Sequence, residues 1–228
     1  MIKKYSSIFF DLDDTLLDFK AAEKAAVKKV LERNGLPCSE EAVKNYSLIN
    51  QSYWERFERG EIPKTAIFAG RFQSFLELYG EKGDPEKISK EYSCGLSLEH
   101  QTVEGAHDIV KLLKSRGYKV YATTNGLSST QYRRIKESGL GELFDGVFVS
   151  EDAGHQKPEK EYFDYVISNI PEKDKGKMLI IGDSPSSDIL GGINSGIDVC
   201  WYNPNGKKTE YETKYEVKKL SEIDSILK

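Results

Sequence analysis

Ser7 to Asp18 reads S-I-F-F-D-L-D-D-T-L-L-D, and the fold turns on how this stretch is taken. Ile8, Phe9, Phe10 and Leu12 are apolar without alternation, the pattern of a strand buried on both faces of a parallel sheet. The run ends in carboxylates: Asp11, Asp13 and Asp14 fall within four positions. Like charges at the end of a buried strand repel, and desolvating each costs roughly several kcal/mol. Strand alternation is expected to put Asp11 and Asp13 on the same side, where a hard divalent cation with oxygen ligands neutralises both. The alternative for this segment alone is a strand followed by an acidic turn that caps the next helix.

Downstream, about eighty residues read as helix. Asp18 is placed to cap a helix over Phe19 to Asn34, stopped by Gly35 and Pro37. Ser39, with Glu40 and Glu41 behind it, opens a second helix to about Glu58. A third follows Pro63 and runs to Tyr79, with Gly80 beyond it. Asp84-Pro85 opens a fourth, through about Leu98. From Gly105 the pattern changes to strands alternating with helices. Strands are expected at Tyr118–Ala122, Gly146–Val149, Met178–Ile181 and Asp198–Tyr202. Helices are expected at about Gly105–Arg116, Ser129–Ser138, after Lys157-Pro158 to Ile170, and at about Asp188–Asn194. A short strand and a small helix capped at Ser221 close the chain. This alternation implies right-handed crossovers and a Rossmann-like parallel sheet with helices on both faces. An α/β core over residues 1–16 and 100–228 is therefore expected to carry an all-helical insert over 17–99. Ligands of open α/β sheets bind at the C-terminal ends of the strands, so an insert leaving just beyond the acidic cluster is expected to act as a cap.

Composition narrows the function. The chain has 228 residues, 38% hydrophobic and 31% charged, with a net charge of −4, as in a globular protein with ordinary solvation. No basic block stands out, which argues against duplex nucleic acid or an anionic membrane as partner. Apolar runs are far shorter than a bilayer span. Met1 to Tyr5 lead straight into the first strand, which leaves no room for a signal peptide. The three cysteines, Cys38, Cys94 and Cys200, are odd in number and lack metal spacing, as expected of reduced thiols in the cytoplasm.

The other strand ends carry complementary groups. The second ends Thr123-Thr124-Asn125-Gly126, a hydroxyl and backbone N–H groups suited to a phosphate oxygen, or simply a turn. Lys157 precedes Pro158, and proline at the first helical position fixes where the lysine points. The fourth strand ends Ile180-Ile181-Gly182-Asp183-Ser184, with Asp188 five residues on. Asp183 repeats the oddity of the first strand; helix capping is the competing reading for Asp183 and Asp188. Together the carboxylates can hold Mg²⁺. The cation, the lysine and the N–H groups can stabilise a phosphoryl group, and a carboxylate can attack phosphorus to split hydrolysis into two steps.

Asp11-Leu12-Asp13-Asp14-Thr15, Thr124, Lys157 and Gly182-Asp183-Ser184-Pro185-Ser186-Ser187-Asp188 resemble, in order, the four motifs of the haloacid dehalogenase (HAD) superfamily. The insert resembles its type-one cap. Within the superfamily, Phe9 to Phe19, Thr124-Asn125-Gly126 and Gln156-Lys157-Pro158 look most like the YjjG-type pyrimidine 5′-nucleotidases. The resemblance implies that Asp11 is the nucleophile and a Mg²⁺ ligand. It implies that Asp13 is the general acid and then base, reaching the metal through its backbone carbonyl. Thr124 and the Asn125 N–H would hold a phosphoryl oxygen. Lys157 would orient Asp11, and Asp183 would complete the metal site. Asp188 would act from behind, through water or by holding Lys157. An aspartate two residues after the nucleophile speaks against a dehalogenase, which expels halide without a proton. The implied substrate is a small phosphorylated metabolite, a nucleoside monophosphate, for an enzyme acting as monomer or homodimer. A sugar-phosphate phosphatase or mutase and a non-catalytic phospho-ligand binder are the alternatives. In the insert, Tyr46, Asn50, Tyr53 and Phe57 share one helical face, and Phe68, Phe72, Phe75 and Tyr79 another. These are expected to be mainly packing, with one or two near the core able to stack on a nucleobase; Arg71 and Lys64 could meet a substrate anion, exposure being the default expectation for the arginine.

Overall fold

The structure is a computed structural model that describes residues 4–227. Met1, Ile2 and Lys3 of the N-terminal lead-in and Lys228 lie outside the described residues. The chain forms two compact units. One joins Met1–Asp18 to Thr102–Lys228, and the other is Phe19–Gln101.

The first unit is built on six parallel strands: β1 (Ser7–Asp11), β2 (Lys119–Thr124), β3 (Gly146–Val149), β4 (Met178–Gly182), β5 (Asp198–Tyr202) and β6 (Tyr215–Val217). They lie in the order β3-β2-β1-β4-β5-β6. The chain winds outward from β1 through β2 to β3, then returns to place β4 on the other side of β1. The winding thus reverses between β1 and β4, and sheets of this kind bind ligands beyond the C-terminal strand ends at such a point.

Side-chain alternation divides the strands between two cores. Ile8, Phe10, Val120, Ala122, Leu179 and Ile181 are buried with Ala106, Ile109, Val110 and Leu113 of an adjoining helix, α5 (Ala106–Ser115). Phe9, Tyr121, Met178, Ile180, Val199 and Trp201 are buried on the other face with Tyr162, Phe163, Val166 and Ile167 of α8 (Lys160–Ser168). Each large side chain so buried contributes about 1.5–3 kcal/mol. Between these helices the chain adds α6 (Ser128–Glu137) and a single turn, α7 (Ser150–Ala153). After β4 come a π-helical turn over Pro185–Ile189 and α9 (Leu190–Ser195). At the end, α10 (Ile223–Ile226) is not capped by Ser221. Instead the Glu222 carboxylate reaches back to accept from the Lys218 N–H at 2.8 Å.

The second unit is all-helical: α1 (Phe19–Arg33), α2 (Glu40–Glu58), α3 (Lys64–Tyr79) and α4 (Pro85–Leu96). Ser39 caps α2 by accepting from the Ala42 N–H at 3.2 Å, and Asp84 caps α4. Gly80 ends α3 in the left-handed conformation, φ 65°, which glycine adopts without steric cost. Tyr46, Phe72 and Tyr92 pack as a ring cluster, with Tyr46 4.9 Å from Phe72 and 5.5 Å from Tyr92 between centroids. Arg71 is buried here, contrary to the exposure expected of it. Its Nη1 donates to Asn50 Oδ1 at 2.7 Å, Asn50 Nδ2 donates to Glu23 Oε1 at 2.6 Å, and the guanidinium lies 4.6 Å over the Tyr92 ring. An amide oxygen and an aromatic face thus replace water around the arginine, with the Glu23 carboxylate holding the amide from behind. Among the described residues, no helix is long and apolar enough to cross a membrane.

Close packing of α9 on β5 depends on Gly192. A Cβ there would lie 2.2 Å from Val199 Cγ2 and 3.2 Å from the Ile197 carbonyl. Gly192→Ala is expected to destabilise the α/β unit by about 1–3 kcal/mol through overpacking, read as a lower denaturant midpoint in equilibrium unfolding.

Candidate active site

β1 stops at Asp11, so strand alternation does not carry on to Asp13 as expected from the sequence. A turn places Asp13 instead. The Leu12 carbonyl accepts from the N–H groups of Thr15, Leu16 and Leu17 at 3.2, 2.9 and 2.7 Å. Asp14 takes the left-handed conformation, φ 59°, which aspartate tolerates better than most residues. This tight turn, not the strand, sets the position of Asp13, while Asp11 stays at the strand's end.

Lys157 is the cation beside Asp11. Its Nζ donates to Asp11 Oδ1 at 2.6 Å, to Asp188 Oδ1 at 2.7 Å and to the Thr123 carbonyl at 3.2 Å. An ammonium has three hydrogens, and three acceptors meet it. The side chain is only 1% exposed. Proline does not aim it by opening a helix, since α8 begins later, at Lys160. Asn125 does: its Nδ2 donates to the Lys157 carbonyl at 2.8 Å, and its Oδ1 accepts from the Lys157 N–H at 2.9 Å. Both polar groups of one side chain therefore grip the lysine's backbone.

The loop after β4 brings two more carboxylates. Asp183 follows the strand directly, and its carbonyl accepts from Trp201 Nε1 at 3.0 Å. The cap of the following turn is Ser184, whose hydroxyl accepts from the Ser187 N–H at 3.2 Å. Asp188 is buried; its Oδ2 accepts from the Ser184 N–H at 3.1 Å while Oδ1 holds Lys157. Gly182 makes this possible, because a Cβ there would lie 2.2 Å from Asp188 Cγ.

One carboxylate oxygen from each of Asp11, Asp183 and Asp188 lies within 4.8 Å of the others. All-oxygen donors in such a cluster suit a hard divalent cation rather than a thiophilic one. The Asp13 carboxylate is not part of this group; the metal role implied for Asp13 runs through its backbone carbonyl. Burial pushes the Asp11 carboxyl up to about 8, with Lys157 opposing and Asp188 and Asp13 adding to the rise. Burial works against the Lys157 charge, but Asp11 and Asp188 outweigh it and hold the ammonium protonated well above its ordinary range. The site thus carries more negative charge than Lys157 neutralises, and a bound cation would relieve the excess.

Thr124, at the end of β2, is buried, and its Oγ1 accepts from the Gly126 N–H at 3.1 Å. Sequence reasoning missed two neighbours. Arg134 Nη1 donates to Asp13 Oδ1, and Gln131 Nε2 donates to Asp13 Oδ2. Both lie on α6, and Arg134 is fully buried. The sequence of α6 is mostly polar, so nothing in it marks these two positions as the ones that turn inward.

The family model for haloacid dehalogenase-like hydrolases matches residues 5–196. The chain belongs to the haloacid dehalogenase-like hydrolases. Among its HAD relatives is the HAD-hydrolase YfnB of Bacillus subtilis, 41% identical over 99% of this chain and 97% of its own. The crystal structure of YfnB, bound to magnesium and described as revealing interdomain movement, superposes with a TM-score of 0.94 over 99% of both chains. The pyrimidine 5′-nucleotidase PynA of Streptococcus pneumoniae is 38% identical over 93% of this chain and 91% of its own. The pyrimidine 5′-nucleotidase YjjG of Escherichia coli is 28% identical over 98% of both. The family expected from the motifs is thus the one found.

A carboxyl whose folded-state pKa is raised binds its proton more tightly when folded. The stability it contributes is complete below the ordinary carboxylate pKa and is lost as pH rises through about 8. In EDTA, the wild type is therefore expected to lose thermal stability relative to Asp11→Asn as pH is raised from about 6 to about 9. Circular dichroism melts of the two proteins across that range check this; parallel curves would contradict the assignment.

Proposed function

We propose that this HAD hydrolase is a Mg²⁺-dependent phosphomonoesterase that works through an aspartyl-phosphate on Asp11, and that its substrate is a nucleoside 5′-monophosphate. One observation carries the reading. A buried carboxylate at the end of the central strand is tied to a buried lysine, beside two further carboxylates, with Asp13 two residues on. The magnesium-bound YfnB and the nucleotidase names of PynA and YjjG support the cofactor and the substrate class.

Asp11, Asp183 and the Asp13 carbonyl would hold the Mg²⁺, which supplies charge neutralisation for the phosphoryl oxygens. Lys157 fixes Asp11 by Oδ1 and so sets the direction of the other oxygen. Asp11 attacks phosphorus, the bond to the ester oxygen breaks, and Asp13 gives the departing alkoxide its proton. Asp13 then takes a proton from water as that water attacks the phosphorus. Inorganic phosphate leaves and the Asp11 carboxylate is restored. Thr124 and the Asn125 N–H hold a phosphoryl oxygen. Asp188 keeps Lys157 charged and in place. The helical unit, Phe19–Gln101, corresponds to the cap expected over 17–99 and carries substrate selection. Three free thiols, Cys38, Cys94 and Cys200, support a reducing, cytoplasmic setting.

Phosphate release from a panel of nucleoside monophosphates and sugar phosphates, in Mg²⁺ and in EDTA, tests the proposal. Turnover is expected with Mg²⁺ alone and fastest on nucleotides; faster sugar-phosphate turnover would reassign the substrate, and binding without turnover would make the chain a phospho-ligand binder. Asp11→Asn is expected to abolish turnover without unfolding the protein. Asp13→Asn is expected to slow alkyl phosphates by about 10²–10⁴ and aryl phosphates with good leaving groups far less. Equal slowing of both would remove Asp13 from the acid role.

A further inference from the structure

We propose that Gln131 and Arg134 are positioning residues that lock Asp13 to Thr124, so that the group moving the proton and the hydroxyl meeting the phosphate are set as one unit. The proposal deepens the phosphatase reading and rests on it.

Both carboxylate oxygens of Asp13 are held from α6, Oδ1 by Arg134 and Oδ2 by Gln131. Each oxygen keeps a further lone pair for the proton it must carry. Arg134 has no exposed side-chain surface, whereas Asp13 retains 30%. A fully buried guanidinium is costly unless matched by charge, so Arg134 anchors the more accessible aspartate rather than the reverse.

Gln131 does more than hold Asp13. Its Nε2 carries two hydrogens; one serves Asp13 and the other reaches Thr124 Oγ1 at 3.1 Å. Its Oε1 accepts from Arg134 Nη1 at 3.4 Å, a weaker bond that keeps the amide the right way round. Thr124 Oγ1 therefore accepts two hydrogen bonds, from Gln131 and from the Gly126 N–H. A hydroxyl with two lone pairs occupied has only its hydrogen left to offer. Ionised phosphoryl oxygens are pure acceptors, so Gln131 turns Thr124 into a committed donor. Gly126 is part of the device. A Cβ there would lie 2.3 Å from Gln131 Nε2 and 2.6 Å from its Cγ, so an alanine displaces the glutamine.

The test uses the full-length protein with Mg²⁺ and compares an alkyl nucleoside monophosphate with p-nitrophenyl phosphate. Gln131→Leu is expected to lower kcat on the alkyl ester by about 10- to 100-fold, the range for groups that orient a reacting one. The loss on p-nitrophenyl phosphate, whose leaving group needs no proton, should be smaller. Inhibition by inorganic phosphate should weaken, because Thr124 is no longer a fixed donor. Gly126→Ala, which leaves every bonding group in the chain, should reproduce both changes. Arg134→Lys should restore most of the alkyl-to-aryl ratio lost in Arg134→Met. A role in stability alone would lower melting temperatures and leave that ratio and the phosphate inhibition unmoved. Wild-type ratios and inhibition in folded Gln131→Leu or, should that variant not fold, in Gly126→Ala, overturn the proposal. A wild type that releases no phosphate from either ester overturns the phosphatase reading and this proposal with it.

Discussion

A lysine ammonium buried to 1% exposure is the constraint on which the α/β unit is arranged. Water cannot solvate it, so protein must, and removing one partner from such a pair costs about 3–5 kcal/mol. Its three acceptors come from three different strand ends: Asp11 from β1, the Thr123 carbonyl from β2, and Asp188 beyond β4. The ammonium is thus a knot between neighbouring strands of the sheet. It also leaves the carboxylates only partly compensated, which makes the place hospitable to a cation. The same tie therefore closes the strand ends and prepares them for chemistry.

The sheet topology explains why these groups meet. β1 is central, flanked by β2 and β4 in parallel register, and the winding reverses across it. Loops leaving adjacent C-terminal ends converge without any strand having to bend. Small side chains then set the fine distances. Gly182 lets Asp188 lean across the strand end, and Gly126 lets Gln131 reach Thr124. Asn125 joins the loop after β2 to the one that carries Lys157.

Much of this was legible in the sequence because it depends on local pattern. Unbroken apolar runs marked β1 and β4, and caps such as Ser39 and Asp84 marked helix starts within a residue. The carboxylates at the ends of those runs pointed to the site because buried strands rarely end in unpaired charge. What stayed hidden depends on distance in three dimensions. A lysine in a loop carries no mark of burial, and the Asn125 side chain gripping its backbone leaves no periodic trace. Arg134 and Gln131 sit on a helix whose sequence is mostly polar, so their inward direction is set by the sheet they meet. Arg71 looked like solvent-facing charge until the ring of Tyr92 and the amide of Asn50 were found against it. For Asp13 the reason given, strand alternation, does not hold: the Leu12 carbonyl gathers three N–H groups and ends the strand early, so a turn presents the side chain.

A strand from the middle of the sheet, β1, precedes the other five in chain order, and this shapes how the protein can assemble. Ser7 must wait for Lys119 on one side and for Met178 on the other. Meanwhile Phe19–Gln101 emerges with most of its own core already local in the chain. Short-range helical contacts form quickly, whereas distant strand pairing pays loop closure first. The apolar Ile8-Phe9-Phe10 segment thus waits longest for its strand partners, and the carboxylates that follow it place charge at the end of an apolar run that would otherwise be an inviting edge.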